Sequence, residues 1–218
     1  MNDKDIVRVV LILKRELKKW EMPVVTLMAE EKRSTFQLLI STILSSRTKD
    51  EVTAAASERL FSLASTPEKM LCLSEEEIRK AIYPVGFYKT KAANLLRTCQ
   101  ELVVRYQSRV PDNLEELLTL PGVGRKTANL VLSLGFNAAG ICVDTHVHRI
   151  SNRLGYVKTE TPRETEMELR NKLPRRYWSI YNTIMVAHGQ NVCRPISPRC
   201  SACPVFQYCD KVGVTRNR

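Results

Sequence analysis

The stretch Leu120-Pro121-Gly122-Val123-Gly124-Arg125-Lys126-Thr127-Ala128 decides the reading of this 218-residue chain. Apolar helical patterns flank it, at about 114–120 and 125–135, so it reads as a turn between two packed helices. Glycine adopts positive φ without steric cost and leaves room for a ligand against the backbone. The amides of Gly122, Gly124 and the first turn of the following helix have no intrahelical acceptors and point outward. With the positive end of the helix dipole they form an anion site suited to one DNA phosphate. Val123 can anchor the turn in the core, and the small Ala128 lets the two helices close on each other. A lone Gly-x-Gly would be an ordinary helix connection. The whole run, with Arg125 beside it in a basic chain, favours a phosphate-binding hairpin.

Helical periodicity continues outward in both directions. Ile6–Trp20 repeats apolar residues at helical spacing, Ser34 with Gln37 is a capping box opening Phe36–Leu44, and Ser74 with Glu77 is a second box. Thr66-Pro67-Glu68 supplies a cap, a first-turn proline and a first-turn acid. Lys89–Tyr106 reads as a long amphipathic helix, and further helices follow near 145–154, 163–173 and 176–188. No alternating strand pattern and no Asn-Gly or Asp-Gly hairpin is present. The expected fold class is all-α, with short connections.

Lysine and arginine number 34 against 23 acids, a formal charge of +11. That surplus favours a polyanion partner through phosphate neutralisation. No apolar run approaches the roughly 20 residues of a membrane helix. The opening Met1-Asn2-Asp3-Lys4-Asp5 is neither a signal nor a transit peptide. The expected location is the cytoplasm, associated with the nucleoid, where seven cysteines are not disulfides.

Lys126 falls in the first turn of its helix, where the positive helix end, and burial if present, favour the neutral, nucleophilic amine. An ordinary solvated lysine is the competing reading. Eighteen positions on, Asp144 in Val143-Asp144-Thr145-His146-Val147-His148 reads as the cap of the next helix. A carboxylate there can also stabilise an oxocarbenium-like sugar while an amine captures C1′. His146 is the histidine expected nearest such a site. Cys193-x6-Cys200-x2-Cys203-x5-Cys209 lies in a segment too short for its own core and reads as a four-thiolate metal site. Spacing alone admits zinc or [4Fe–4S]. Arg194 and Arg199 lie inside its first loop and become a basic finger for phosphates.

Taken together, LPGVGRKTA, then VDTHVHRISNRLG, then the four-cysteine cluster resemble the endonuclease III family of helix-hairpin-helix DNA glycosylases, over about Phe36–Cys209. The resemblance implies two helical lobes with a DNA-binding cleft between them. One is continuous, 28–139, ending in the hairpin motif at about 114–135. The other joins 1–27 to 140–218 and carries a [4Fe–4S] cluster loop at 193–209, with zinc the runner-up. It implies a monomeric base-excision enzyme that flips oxidised pyrimidines from duplex DNA and cuts the abasic strand, with Lys126 as nucleophile and Asp144 as catalytic carboxylate. Phe87 is the expected wedge between bases, with Lys89 and Lys91 holding phosphates. Family members commonly carry glutamine where this chain has Arg47. Arginine is a bidentate donor to guanine, so Arg47 is expected to enter the gap left by the flipped base and favour an orphan guanine, with a surface arginine on a phosphate as the competing reading. Two alternatives compete: a thymine or uracil mismatch glycosylase on the same scaffold, and a non-catalytic DNA-binding module.

Overall fold

The computed structural model describes residues 1–20, 22–136, 138 and 140–218. Among them the only regular structure is helical, with no strand. The described residues form twelve α-helices, and the backbone divides into two compact units.

Val24–Ala138 is the first of these units. It holds α2 (Val24–Glu30), α3 (Thr35–Ser45), α4 (Asp50–Leu63), α5 (Pro67–Leu71), α6 (Glu75–Ile82), α7 (Tyr88–Tyr106), α8 (Leu114–Leu117) and α9 (Arg125–Gly135). The caps explain where these helices begin. Ser34 and Gln37, and Ser74 and Glu77, both close reciprocal capping boxes, and Thr66 caps α5 with Pro67 in the first turn. α3 packs against α9 and α4, and α7 against α5 and α6. Their shared core includes Leu39, Ile40, Leu44, Leu60, Ile78, Leu95, Leu102, Leu120, Val123 and Ala128. Periodicity does not announce α2 or α4. α4 scatters its buried residues (Thr53, Ala56, Ser57, Leu60, Phe61) among small polar ones, and its N-cap Lys49 makes no side-chain cap bond.

Met1–Pro23 and Ala139–Arg218 form the other unit. It contains α1 (Asp3–Glu16), α10 (Thr145–Arg153), α11 (Pro162–Lys172) and α12 (Trp178–Asn191), with a short 3-10 turn, Leu17–Lys19, after α1. The stripe Ile6, Val9, Val10 and Leu13 of α1 buries against Ile184 and Met185 of α12 in one core with Val147, Ile150 and Leu169. Beyond α12 the chain is irregular apart from two single 3-10 turns, Cys200–Ala202 and Phe206–Tyr208. Among the described residues, no helix is long and apolar enough to cross a membrane.

Candidate active site and nucleic-acid interface

The hairpin between α8 and α9 is built as its glycines require. Gly122 has φ +78, and a Cβ there would press on the Asn94 side chain at 3.1 Å. Gly124 is the N-cap of α9 in extended conformation, makes no side-chain cap bond, and would project a Cβ into open space with nothing within 4 Å. The start of α9 therefore lies open to a ligand. Leu120, Val123 and Ala128 are buried beneath it. Thr98 of α7 donates to Pro121 O at 2.7 Å and fastens the turn from below. Arg125 is half-buried and Lys126 exposed. Any burial expected of Lys126 is thus absent, because the first turn of α9 protrudes past the core that Thr127 and Ala128 enter.

Arg47 and Phe87 are brought together. The Arg47 guanidinium lies 5.4 Å from the centre of the Phe87 ring, and both residues are exposed at the tips of adjoining loops. Lys89 is exposed beside them. Lys91 departs from the expectation that it holds a phosphate. It is buried, and its Nζ donates to Leu44 O, Ser46 O and Thr48 Oγ1. Its position carries the reason. Lys91 shares the inward stripe of α7 with Leu95, Cys99 and Leu102, spaced by helical turns. Burial pulls its amine down to about 8.

In the other unit, Asp144 is the N-cap of α10. Its Oδ1 accepts from His146 N at 2.8 Å and Val147 N at 2.9 Å. Two backbone amides thus fix the carboxylate at a helix start, where negative charge is favoured. His146 is half-buried. Its Nδ1 lies 3.2 Å from Arg149 Nη2, and Gly189 of α12 leaves space for the ring that any Cβ would fill. Arg149 also donates to Cys193 O at 2.9 Å, tying α10 to the cysteine segment.

Cys193, Cys200, Cys203 and Cys209 line one cavity whose other walls include Ile150, Leu154, Val192 and Val205. None of the four is in a disulfide. Burial raises the thiols of Cys200, Cys203 and Cys209, Cys203 to about 11, and each is raised further by the thiols around it. A thiolate quartet in this pocket needs a compensating cation, which is what a bound metal group provides. Donors already face the sulfurs: Arg153 Nη1 at 3.5 Å from Cys193 Sγ, and the Lys211 amide at 3.4 Å from Cys209 Sγ. Among the described residues, no three His, Cys, Asp or Glu side chains are disposed to hold a single metal ion. Arg194 and Arg199 are exposed on the first loop. Arg153 shapes that loop by donating to Arg194 O and Pro195 O, both at 2.7 Å. Sequence reading passed over Arg153, since nothing in the pattern distinguishes it from any solvated arginine on a helix face.

Comparison with known proteins places these features in context. Residues 40–175 match the model of the HhH-GPD superfamily base excision DNA repair proteins. Endonuclease III of Thermotoga maritima is 49% identical over 188 residues, covering 84% of this chain and 88% of that protein. The chain belongs to the endonuclease III family. Mouse endonuclease III-like protein 1, a longer family member, is 44% identical over 80% of this chain and 59% of its own length. The solved structure of a trapped endonuclease III–DNA covalent intermediate superposes with a TM-score of 0.86 at 33% identity, covering 97% of both chains. A thermostable thymine-DNA glycosylase, 23% identical, shares the fold with a TM-score of 0.82 over 95% of this chain and 96% of its own. As an endonuclease III family member the protein is a DNA-binding, base-excision glycosylase and abasic-site lyase.

Proposed function

We propose that this enzyme excises oxidised pyrimidines from duplex DNA and cleaves the resulting abasic strand, with Lys126 as its nucleophile. The observation that carries this reading is the exposed Lys126 amine on the first turn of α9, next to the open backbone at Gly124. A structural relative, 33% identical, has been trapped as a covalent intermediate with DNA.

The neutral Lys126 amine attacks C1′ of the flipped nucleotide, and the glycosidic bond breaks with its electron pair leaving on the base, which takes up a proton. Asp144 carries a fixed negative charge that stabilises the cationic sugar as the bond lengthens. Ring opening leaves an imine between Lys126 and C1′. Loss of a C2′ proton then expels the 3′ phosphate, and water releases the amine. Gly122, Gly124 and Arg125 present amides and charge to one backbone phosphate, while Lys89, Arg194 and Arg199 hold others. Val123, expected to join them, is buried beneath the turn, and its amide donates to Leu120 O at 3.1 Å. Arg47 fills the vacated space and Phe87 wedges beside the orphan base.

Cys193, Cys200, Cys203 and Cys209 would hold a [4Fe–4S] cluster, which supplies cross-linking of an otherwise coreless loop. Four thiols around one cavity suit a group that takes four thiolates, and the family membership favours the cluster over zinc. His146 orients Arg149 and takes no proton in this scheme. The enzyme acts as a monomer in the cytoplasm, on duplexes carrying a damaged base or an abasic site.

Borohydride reduction on abasic DNA tests the assignment. Covalent trapping that disappears in Lys126→Ala, with DNA binding retained, is the expected result. Trapping through another side chain refutes it, and glycosylase activity without trapping would point instead to a mismatch-type enzyme.

A further inference from the structure

The loops bearing Arg47 and Phe87 are joined by a side chain that no chemical step uses. Lys91 is 7% exposed. Its Nζ donates to Leu44 O at 2.8 Å, Ser46 O at 2.6 Å and Thr48 Oγ1 at 3.3 Å. The two carbonyls belong to the C-terminal end of α3, where acceptors lack intrahelical partners and the dipole favours a cation. Thr48 Oγ1 accepts a second bond, from Gly86 N at 3.1 Å. A Cβ on Gly86 would collide with Arg47 O, so the two backbones lie in direct contact. Arg47 and Phe87 both hold left-handed backbone, with φ 53 and 58. Non-glycine residues persist there only where their surroundings impose it. Their side chains meet, yet Phe87 stays 61% exposed.

We propose that Lys91 is a positioning residue: its buried ammonium fastens the 46–48 turn to the start of α7, so that Arg47 and Phe87 reach DNA as one preformed wedge. This rests on the reading of those two residues as the groups that enter the duplex. Ordering achieved on folding need not be repeated on binding, so the fastening strengthens the grip on DNA. Lys91 therefore governs how tightly and how selectively the gap opposite the lesion is filled, and leaves the amine chemistry of Lys126 untouched.

A double-mutant cycle on the full chain tests this. Lys91→Met keeps the length of the stem and removes the donors. Thr48→Val removes one acceptor without leaving a bare charge. Binding to duplexes holding a reduced abasic-site analogue is measured, with excision rates opposite each of the four bases. Borohydride trapping on single-stranded abasic DNA, which has no opposite base, is the control. Lys91→Met is expected to weaken duplex binding about tenfold, the scale of a lost charged hydrogen bond. It should also flatten opposite-base preference and leave single-strand trapping unchanged. In an Arg47→Ala/Phe87→Ala background the same substitution should change binding no further. An undiminished tenfold loss in that background overturns the proposal, as does full retention of binding and selectivity in both Lys91→Met and Thr48→Val. Should Lys91→Met fail to fold, Thr48→Val decides by the same criteria. If Arg47→Ala/Phe87→Ala alone leaves binding and selectivity at wild-type values, the wedge reading fails and this inference falls with it. Absence of trapping in the wild type would count against Lys126 alone, and the binding cycle would still decide on Lys91.

Discussion

Gly122 and Gly124 stand two residues apart, and substituting each by alanine should separate folding from phosphate binding. At Gly122 the backbone is left-handed, φ +78, and a methyl would press on Asn94 Cβ and Nδ2 at 3.1–3.2 Å. Left-handed backbone costs an alanine roughly 1–2 kcal/mol, to which the displaced asparagine adds. Gly122→Ala should therefore lower stability by about 2 kcal/mol, read as a shifted denaturant midpoint at constant slope. At Gly124 φ is −93, ordinary for alanine, and the methyl meets nothing within 4 Å. The N-cap preference for glycine over alanine costs at most about 1 kcal/mol, partly offset by a stiffer unfolded chain. That methyl stands where a phosphate would approach the amides of α9. Losing one such contact should weaken duplex binding about tenfold, roughly 1.4 kcal/mol, and lower the slope of log K against log salt by about one phosphate. Both variants are measured by denaturation and by salt-dependent binding to abasic-analogue duplex. Undiminished binding by Gly124→Ala, or a stability loss matching that of Gly122→Ala, would refute the phosphate-cradle argument.

Asp144→Asn keeps a good N-cap and removes the charge, so stability should change by less than about 1 kcal/mol while base excision falls at least about a hundredfold; comparable losses in both would reduce Asp144 to a cap. Arg47→Gln should lower the preference for guanine opposite the lesion by about tenfold, the scale of one bidentate base contact, and equal rates opposite all four bases in the parent enzyme would discard the guanine reading. Lys91 supplies a pH signature. Its amine titrates near 8 in the folded chain against an ordinary 10.5, so between those values the unfolded chain holds more protons and stability rises with pH. The stability of wild type relative to Lys91→Met should be flat below about pH 8 and climb by about 1–3 kcal/mol toward pH 10.5; a flat difference throughout would mean Lys91 is not desolvated.

Legibility in the sequence followed the range of the interactions. Capping boxes at Ser34 and Ser74, the glycine turn at 122–124 and the Asp144 cap are local patterns, and the folded chain carries them where they were expected. α4 leaves a weak trace because Leu60 and Phe61 share its buried face with Thr53, Ala56 and Ser57, which hydropathy does not mark. Charge alone assigns Lys91 to a phosphate, whereas its phase on α7 assigns it to the interior. Counting back from Leu102, Cys99 and Leu95 puts residue 91 on the inward stripe, whereas Lys89 is off it. Arg149 and Arg153 were invisible because their partners, Cys193 O, Arg194 O and Pro195 O, lie some forty residues away, and loop carbonyls leave no trace in a sequence pattern.

The pairing of α1 with α12 has a consequence for how the chain is made. The apolar stripe of Ile6, Val9, Val10 and Leu13 closes on Ile184 and Met185. At 5–20 residues per second, about 10 to 30 s of translation separate the two helices. The intervening Val24–Ala138 unit has its own core and can fold as it emerges, while α1 waits with a greasy flank bare. A ribosome-tethered nascent chain halted before residue 178 should thus present α1 as a chaperone-binding or aggregation-prone segment, an exposure that ends once α12 clears the exit tunnel.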